Sequence, residues 1–273
     1  MIYTLESITK HYVTRDGVIS SLDGLSLGVR SGEQLAMIGR SGAGKTTLFR
    51  LLNATLKPTR GAILFDERNI GDLTWRELRA MRRRIGTVYQ QHYLVPSLSV
   101  FDNALCGRLG HWSLGRTLKS ALRPTKNDAE ATLNALESVG LADKRRARAD
   151  ELSGGQQQRL AIARVLVQQP EVILADEPVA SLDPPLAEKI VEMLVKFADE
   201  QKRTLIVTLH AVELALRYFP RIVALSEGRL AFDVETKCLD RSALESLYAT
   251  NDARAMRNLS HDADTRRELR CAR

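Results

Sequence analysis

The stretch that most constrains the fold is residues 33–55, which read EQLAMIGRSGAGKTTLFRLLNAT. An apolar, strand-like run passes through three glycines into a helical pattern of leucines. Gly39 to Thr46 match the spacing G-x-x-x-x-G-K-[ST] in full. Such glycines let backbone amides turn toward phosphate oxygens, while the lysine reaches the β- and γ-phosphates and the threonine can ligate Mg²⁺. The pattern therefore predicts a phosphate loop between a strand and a helix, and an ordinary glycine-rich turn does not require this lysine and threonine.

Two further apolar runs end in side chains that suit phosphate chemistry. EVILADEP at 171–178 ends in Asp176 and Glu177, and TLIVTLH at 204–210 ends in His210. Both runs are typical of buried parallel strands, whose carboxyl ends bind ligands. The first carboxylate suits a magnesium shell, the second can orient or deprotonate a water, and the imidazole can hydrogen-bond a γ-phosphate. Acidic residues that end a strand in solvent, and a structural histidine, are the alternatives.

Gln90 and Tyr12 give weaker signals. Gln90 follows the strand-like run that begins at residue 85, where its amide oxygen can reach magnesium or the attacking water. Tyr12 precedes a hairpin-like segment and can stack on an adenine ring. Glutamines at strand ends and aromatics packed in a core are both common, so neither residue indicates a site by itself.

A second anion-binding pattern lies more than one hundred residues after the first. Residues 152–159 read LSGGQQQR, and Ser153 and Gln156 have the spacing of a capping box at a helix start. Apolar residues then recur at helical spacing until Pro170. Helix N-termini bind anions because their free amides and the helix dipole point the same way. The chain therefore carries two candidate phosphate sites, although one nucleotide needs only one phosphate loop.

Composition narrows the class of protein. The chain has 273 residues, 44% of them apolar, and its apolar runs are far shorter than the roughly 20 residues of a membrane span. The start lacks the apolar region of a signal peptide, which favours a cytosolic location. The three cysteines are far apart and indicate neither a disulfide framework nor a zinc site. The net charge of +7 is concentrated at 82–84, 144–148 and the last twenty residues, and it leaves open a nucleic-acid partner, an anionic membrane surface or an ordinary basic protein.

Taken together and in this order, the segments GRSGAGKTT, VYQQ, LSGGQQQR, ILADEP, SLD and TLH closely resemble the ATP-binding subunits of ABC transporters. The resemblance covers about residues 1–235. It implies an α/β P-loop NTPase fold, the ABC ATPase cassette, with a mainly parallel central sheet and a small antiparallel β subdomain from residues 1–30 and 60–70. It also implies an inserted α-helical subdomain at about 91–168, which docks on membrane subunits. Residues 236–273 would then form a helical or basic C-terminal tail with a frayed end.

The resemblance also implies a role for each matching position. The catalytic residues would be Glu177, His210 and Gln90, and magnesium would be held by Thr46, Gln90 and, through water, Asp176. The remaining positions are Tyr12 against adenine, the phosphate loop Gly39, Arg40, Ser41, Gly42, Ala43, Gly44, Lys45, Thr46 and Thr47, the signature Ser153, Gly154, Gly155 and Gln156, and the D-loop Ser181, Leu182 and Asp183.

Partners follow from the same resemblance. Two cassettes pack head to tail, so that the signature of one chain faces the phosphate loop of the other and ATP with Mg²⁺ lies between them. This arrangement gives the second anion-binding pattern a purpose. It implies a homodimer, two transmembrane permease subunits, a periplasmic or lipid-anchored solute-binding protein, no nucleic acid, and a peripheral position on the cytoplasmic face of the inner membrane.

The cargo is indicated by a finer match. NALCGRLGHWSLGRTL at 103–118, with the sequence around the signature, looks most like the ATP-binding subunits of phosphonate importers. Importers of phosphite or a related phosphorus oxyanion look nearly the same. The segment at 103–118 also fits an ordinary helix of the α-helical subdomain together with its cap. Alternatives that also stay open are an importer of amino acids or phosphate, a transporter of an exported solute, and a non-transport ABC ATPase.

Overall fold

The computed structural model describes residues 1–15, 17–89, 93–113, 115–117, 124–180, 182–239 and 244. Its strands are β1 (Tyr3–Thr14), β2 (Gly17–Val29), β3 (Gln34–Ile38), β4 (Arg60–Phe65), β5 (Arg68–Asn69), β6 (Ile85–Val88), β7 (Val172–Asp176), β8 (Thr204–Thr208), β9 (Arg221–Ser226) and β10 (Arg229–Glu235). Its helices are α1 (Lys45–Leu52), α2 (Trp75–Arg83), α3 (Val100–Leu105), α4 (Lys126–Ser138), α5 (Gly154–Gln168), α6 (Pro184–Glu200) and α7 (Val212–Tyr218). Short 3₁₀ segments lie at Ile70–Asp72, Cys106–His111, Ala149–Glu151 and Thr236–Cys238.

The central sheet has six strands in the order β10-β9-β3-β8-β7-β6. The five strands from β9 to β6 run parallel, and β10 pairs with β9 in the antiparallel direction. Thr208 at the end of β8 pairs with Met37 of β3 and with Asp176 of β7, so these strands end at one edge of the sheet. The mainly parallel sheet predicted from the sequence is confirmed.

Both faces of this sheet are covered, which explains why its strands are continuously apolar. Side chains alternate along each strand, so Ala36 and Ile38 of β3 belong to one buried cluster and Leu35 and Met37 to another. The first cluster includes residues of α3 to α7, and the second includes residues of α1, β1 and β2. The phosphate loop and the signature helix therefore pack against opposite faces of one sheet.

The smaller sheet is antiparallel, with the strand order β2-β1-β4-β5. Tyr3 of β1 pairs with Val29 of β2 and with Phe65 of β4. Its hydroxyl donates to the carbonyl of Leu52 at 2.9 Å, which ties this sheet to the end of α1. The small antiparallel sheet predicted from residues 1–30 and 60–70 is present.

The helix predicted after LSGGQ is also present, as α5. The side-chain Oε1 of Gln156 accepts the backbone N–H of Ser153 at 3.0 Å, which is one arm of the predicted capping box. The helix closes with Gln169 in the left-handed conformation, at φ 53°, directly before Pro170. In the described part of the chain, no helix is both long and apolar enough to cross a bilayer. The predicted boundaries of the cassette, its helical part and the tail stay predictions, since the tail is described only at 236–239 and 244.

Candidate nucleotide site

The phosphate loop connects β3 to α1 and needs glycine for steric reasons. Gly39 has φ 150° and Gly44 has φ 99°, a region that side chains rarely adopt. A Cβ at Gly39 would lie 2.4 Å from the carbonyl oxygen of Leu225, and one at Gly44 would lie 2.6 Å from that of Ser21. Because the N-cap residue of α1 is Gly44, which has no side chain to cap the helix, the loop presents backbone amides at a helix N-terminus.

Lys45 is folded back over this loop. Only 5% of the residue is exposed, and its Nζ donates to the carbonyl oxygens of Gly39 at 2.6 Å and Arg40 at 3.0 Å. Burial lowers the pKa of Lys45, and the carboxylates of Glu177 and Asp176 oppose that shift. A cation is thus held among loop carbonyls, close to two acidic groups.

Asp176 ends β7 as a buried carboxylate. Thr208 of the neighbouring strand donates its hydroxyl to Asp176 Oδ1 at 2.8 Å, and Thr46 also hydrogen-bonds this carboxyl group. Burial raises the pKa of Asp176, while Thr208 opposes the rise, and the nearby Glu177 adds to it. The group therefore sits where a negative charge is disfavoured unless a cation arrives.

Glu177 follows in an unusual backbone conformation, with φ 50°. Its N–H donates to the same Thr208 hydroxyl at 2.8 Å, so one threonine holds both acidic residues. Its Oε1 lies 2.6 Å from Nε2 of His210, and the side chain of Glu177 is 15% exposed against 50% for His210. A non-glycine residue at positive φ costs free energy, and such strain clusters at functional sites.

Tyr12 lies beside the first turn of α1. Its hydroxyl is 3.4 Å from Oγ1 of Thr47, which is in turn 2.7 Å from Oγ of Ser21. The ammonium of Lys10 lies 5.5 Å from the centroid of the Tyr12 ring. The half-buried ring is thus anchored next to the phosphate loop.

The signature lies beside the D-loop of the same chain. Ser153 and Gly154 are exposed, and a Cβ at Gly155 would lie 3.0 Å from Cδ2 of Leu182. Asp183 caps α6 by accepting the N–H of Leu186 at 3.2 Å. The predicted residues Gln90 and Ser181 lie outside the described residues.

Seven of the predicted residues are linked by contacts around one sheet edge. Lys45, Thr46, Asp176, Glu177 and His210 form one cluster, and Tyr12 joins it through Thr47. Sequence reasoning missed Thr208. The available signal was a threonine at the end of an otherwise apolar strand, and only strand pairing reveals that it lies opposite Asp176.

The strand order, the phosphate loop and the acidic cluster with its histidine together define the class of protein, an ATP-binding cassette with a P-loop fold. The comparisons with known proteins agree. A family model described as "ABC transporter" matches residues 22–180. The chain belongs to the ABC transporter family as an ATP-binding cassette, so the predicted family, the predicted fold and the use of ATP are confirmed.

Two relatives and two solved structures illustrate the membership. The chain is 45% identical over 85% of its length, and 86% of the relative's, to "Phosphonates import ATP-binding protein PhnC" of Pseudomonas fluorescens (strain Pf0-1). It is 41% identical over 94% of its length, and 95% of the relative's, to "Phosphonates import ATP-binding protein PhnC 1" of Pseudomonas syringae pv. syringae (strain B728a). A dimeric ATP-binding cassette in a post-hydrolysis state, bound to ADP and Pi, has 30% identity and a TM-score of 0.78 over 87% of this chain and 100% of that one. A dimeric bacterial ABC transporter cassette has 31% identity and the same TM-score and coverage.

Proposed function

We propose that the chain is the ATP-hydrolysing subunit of an ABC importer for phosphonate or a related phosphorus oxyanion. The observation that carries the ATPase is the 2.6 Å contact between Glu177 and His210, at the sheet edge that also holds Lys45 and Asp176. The cargo is supported by the two relatives, phosphonate import ATP-binding proteins at 41–45% identity.

The first step is capture of the nucleotide by the phosphate loop. Lys45 exchanges the carbonyls of Gly39 and Arg40 for β- and γ-phosphate oxygens, which compensate its charge far better. Backbone amides from Gly39 to Thr47 surround the phosphates, and Tyr12 stacks on the adenine.

Thr46 of α1 and Asp176 at the end of β7 fit a magnesium ion. Mg²⁺ prefers hard oxygen ligands, and the Thr46 hydroxyl and the Asp176 carboxylate, linked by a hydrogen bond, supply them. Burial raises the pKa of Asp176, so a cation bound beside this carboxylate would stabilise its charged form. When bound, Mg²⁺ neutralises charge on the β- and γ-phosphates. Thr46 would bind it directly, Asp176 would hold it through water, and Gln90 would be the third ligand.

Glu177 acts as the general base on the attacking water. Its carboxylate is mostly enclosed, and the contact with His210 fixes its orientation. His210, half exposed beside it, also hydrogen-bonds the γ-phosphate and responds to its loss.

A second copy of the chain completes the site. Ser153 and Gly154 lie exposed at the start of α5, next to Leu182 of the D-loop, so a helix N-terminus suited to phosphate faces outward. Solved structures similar to this chain are dimeric cassettes, which supports a head-to-tail homodimer. In it, residues 153–156 and 181–183 of one copy close over the nucleotide of the other.

The cassette, residues 1–235, works at the cytoplasmic face of the inner membrane with two permease subunits and a solute-binding protein. The helical part at about 91–168 docks on the permeases, and residues 236–273 form the basic tail. The test is a reconstituted transporter in liposomes, assayed for ATP hydrolysis. Phosphonate-loaded binding protein is expected to stimulate hydrolysis, and Lys45→Ala to abolish both nucleotide affinity and stimulation. Stimulation by amino acids but not by phosphonate or phosphite would contradict the cargo, and unchanged nucleotide affinity in Lys45→Ala would contradict the site.

A further inference from the structure

The helix α2 carries an exposed surface that the ATPase chemistry does not use. This basic–aromatic patch consists of Trp75, Arg76, Arg79 and Arg82, all of them exposed. Trp75 is 68% exposed, whereas the chain's other tryptophan, Trp112, is 6% exposed. A large exposed indole among arginines is an unusual surface, because such a ring is normally covered.

The helix geometry places the patch on one face. Trp75, Arg79 and Arg82 have the spacing i, i+4, i+7, which forms a stripe along an α-helix, while Met81 is buried against the fold. A capping box fixes the start of the helix: the N–H of Thr74 donates to Glu77 Oε2 at 2.9 Å, and the N–H of Glu77 donates back to Thr74 Oγ1 at 3.4 Å. Trp75 is therefore the first residue of an ordered helix.

Basic residues outnumber acidic ones in this region. Residues 68–84 contain six arginines against two carboxylates, Asp72 and Glu77. Two of these arginines form ion pairs: Arg68 with Glu77, and Arg84 with Asp66 and Glu171. The hydrogen bond from Arg68, together with those from Thr74, lowers the pKa of Glu77 to about 2, so this carboxylate is already engaged away from the patch.

The arginines of the patch themselves lack acidic partners. Within the described part of the chain, no carboxylate forms an ion pair with Arg76 or Arg79. The guanidinium of Arg76 lies 5.5 Å from the centroid of the Trp75 ring, and Arg82 donates to the carbonyl of Ala54 at 2.6 Å. Their positive charges therefore remain available to an anionic partner.

We infer that this patch binds the surface of an anionic lipid bilayer directly. Arginines attract acidic headgroups, and an indole prefers the boundary between headgroups and acyl chains because one end of it is apolar and the other polar. Nucleic acid fits less well, since a single exposed ring offers one stacking platform where single strands use several. The inference goes beyond the proposed function, because it needs neither permeases nor cargo.

Tryptophan fluorescence of the full-length chain tests the contact. Vesicles of phosphatidylcholine with about one third phosphatidylglycerol are expected to shift the emission to shorter wavelength and to shield it from acrylamide. Vesicles of phosphatidylcholine alone leave it unchanged. Trp75→Phe removes the exposed indole, so the shift is expected to disappear although Trp112 remains. The same shift in Trp75→Phe, or none in the wild type, overturns the inference.

Vesicle co-sedimentation tests the charges with a matched pair of variants. Arg76→Gln/Arg79→Gln is expected to weaken binding to the anionic vesicles roughly 30-fold, from the usual contribution of each basic residue near such a surface. Arg145→Gln/Arg146→Gln removes the same charge from another exposed basic segment and is expected to change binding less than threefold. If both pairs of substitutions weaken vesicle binding equally, the overall charge of the chain causes the attraction, and the inference that the patch binds the bilayer is overturned. Binding of short duplex DNA that depends on Arg76 and Arg79, without binding of vesicles, overturns it in favour of nucleic acid.

Discussion

The imidazole Nε2 of His210 lies 2.6 Å from Oε1 of Glu177, although the two residues follow different strands and Glu177 has a strained backbone at φ 50°. Such strain costs on the order of 1–3 kcal/mol and persists only when the surroundings hold it. Here Thr208 holds it, because its hydroxyl accepts the N–H of Glu177 and donates to Asp176. The buried threonine therefore sets the spacing between the proposed metal ligand and the proposed base.

Glu177→Gln is expected to stop hydrolysis while leaving nucleotide binding intact. The amide keeps the shape of the side chain but cannot accept a proton, and loss of a positioned base typically lowers the rate about 10²–10⁴-fold. The variant should therefore accumulate as an ATP-bound dimer, which size-exclusion chromatography with ATP detects. Glu188→Gln is the control, since Glu188 is an acid of α6 that pairs with Arg217. Hydrolysis within tenfold of wild type in Glu177→Gln would rule out Glu177 as the base.

Asp176→Asn is expected to stabilise the nucleotide-free protein at neutral pH and to abolish hydrolysis. The pKa of Asp176 is raised in the folded state by burial, so the folded chain binds this proton more tightly than the unfolded chain. The carboxyl group thus favours folding below its ordinary pKa of about 3.8 and loses that contribution as the pH rises through the folded-state pKa. Asparagine carries no charge and keeps the acceptor for Thr208.

Thermal unfolding of Asp176→Asn and wild type between pH 4 and pH 8 measures this effect. The stability advantage of the variant over wild type should grow with pH and then level off. An advantage that shrinks as the pH rises contradicts the direction of the shift.

The residues of the site could be predicted from the sequence more fully than the contacts that hold them in place. Glycine spacing revealed the phosphate loop, because few other structures need three glycines before Lys45 and Thr46. Thr208 was not predicted because its role depends on the pairing of β7 with β8, which local sequence patterns do not encode. The backbone conformation of Glu177 was not predicted for the same reason, since a positive φ at a residue other than glycine depends on tertiary contacts.

The GRLG segment has a packing role that its sequence did not reveal. A Cβ at Gly107 would lie 2.2 Å from the carbonyl oxygen of Arg164 in α5, so this segment contacts the signature helix at backbone distance. Arg108 and Arg116 both pair with the buried Asp128, at 3.6 and 3.0 Å. These contacts give Gly107, Arg108 and Arg116 a structural role that does not involve the cargo. The proposed cargo therefore depends on the similar phosphonate import proteins rather than on this segment.

Gly107→Ala is accordingly expected to destabilise the protein by about 1–3 kcal/mol, because the added methyl group forces backbone apart in a packed region. Gly115→Ala is the matched control in the same segment: a Cβ there meets nothing within 4 Å among the described residues, and the change should stay within about 0.5 kcal/mol. Urea unfolding of both variants measures the difference. Equal stability of the two would contradict the close approach of Gly107 to α5.

The proposed nucleotide site is shared by two chains. If the signature completes the site of the opposite chain, Ser153→Arg should block dimer formation with ATP, since a bulky side chain then replaces an exposed serine at the phosphate-facing helix start. Lys45→Ala should instead remove the main side-chain cation of the phosphate loop. Size-exclusion chromatography of each ATP-loaded variant tests these separate defects, and Ser153→Arg should remain monomeric.

A heterodimer of Lys45→Ala and Ser153→Arg chains then distinguishes the two geometries. In the head-to-tail dimer, the altered phosphate loop of one chain faces the altered signature of the other, so both changes fall in one site. The second site keeps an intact phosphate loop and an intact signature, and it should occlude about one nucleotide per dimer. If each chain instead used its own signature, every site would carry one defect and none would function. Differently tagged chains, purified through both tags and assayed for occluded ATP beside wild type, decide between these outcomes, and complete loss of occlusion would count against the head-to-tail site.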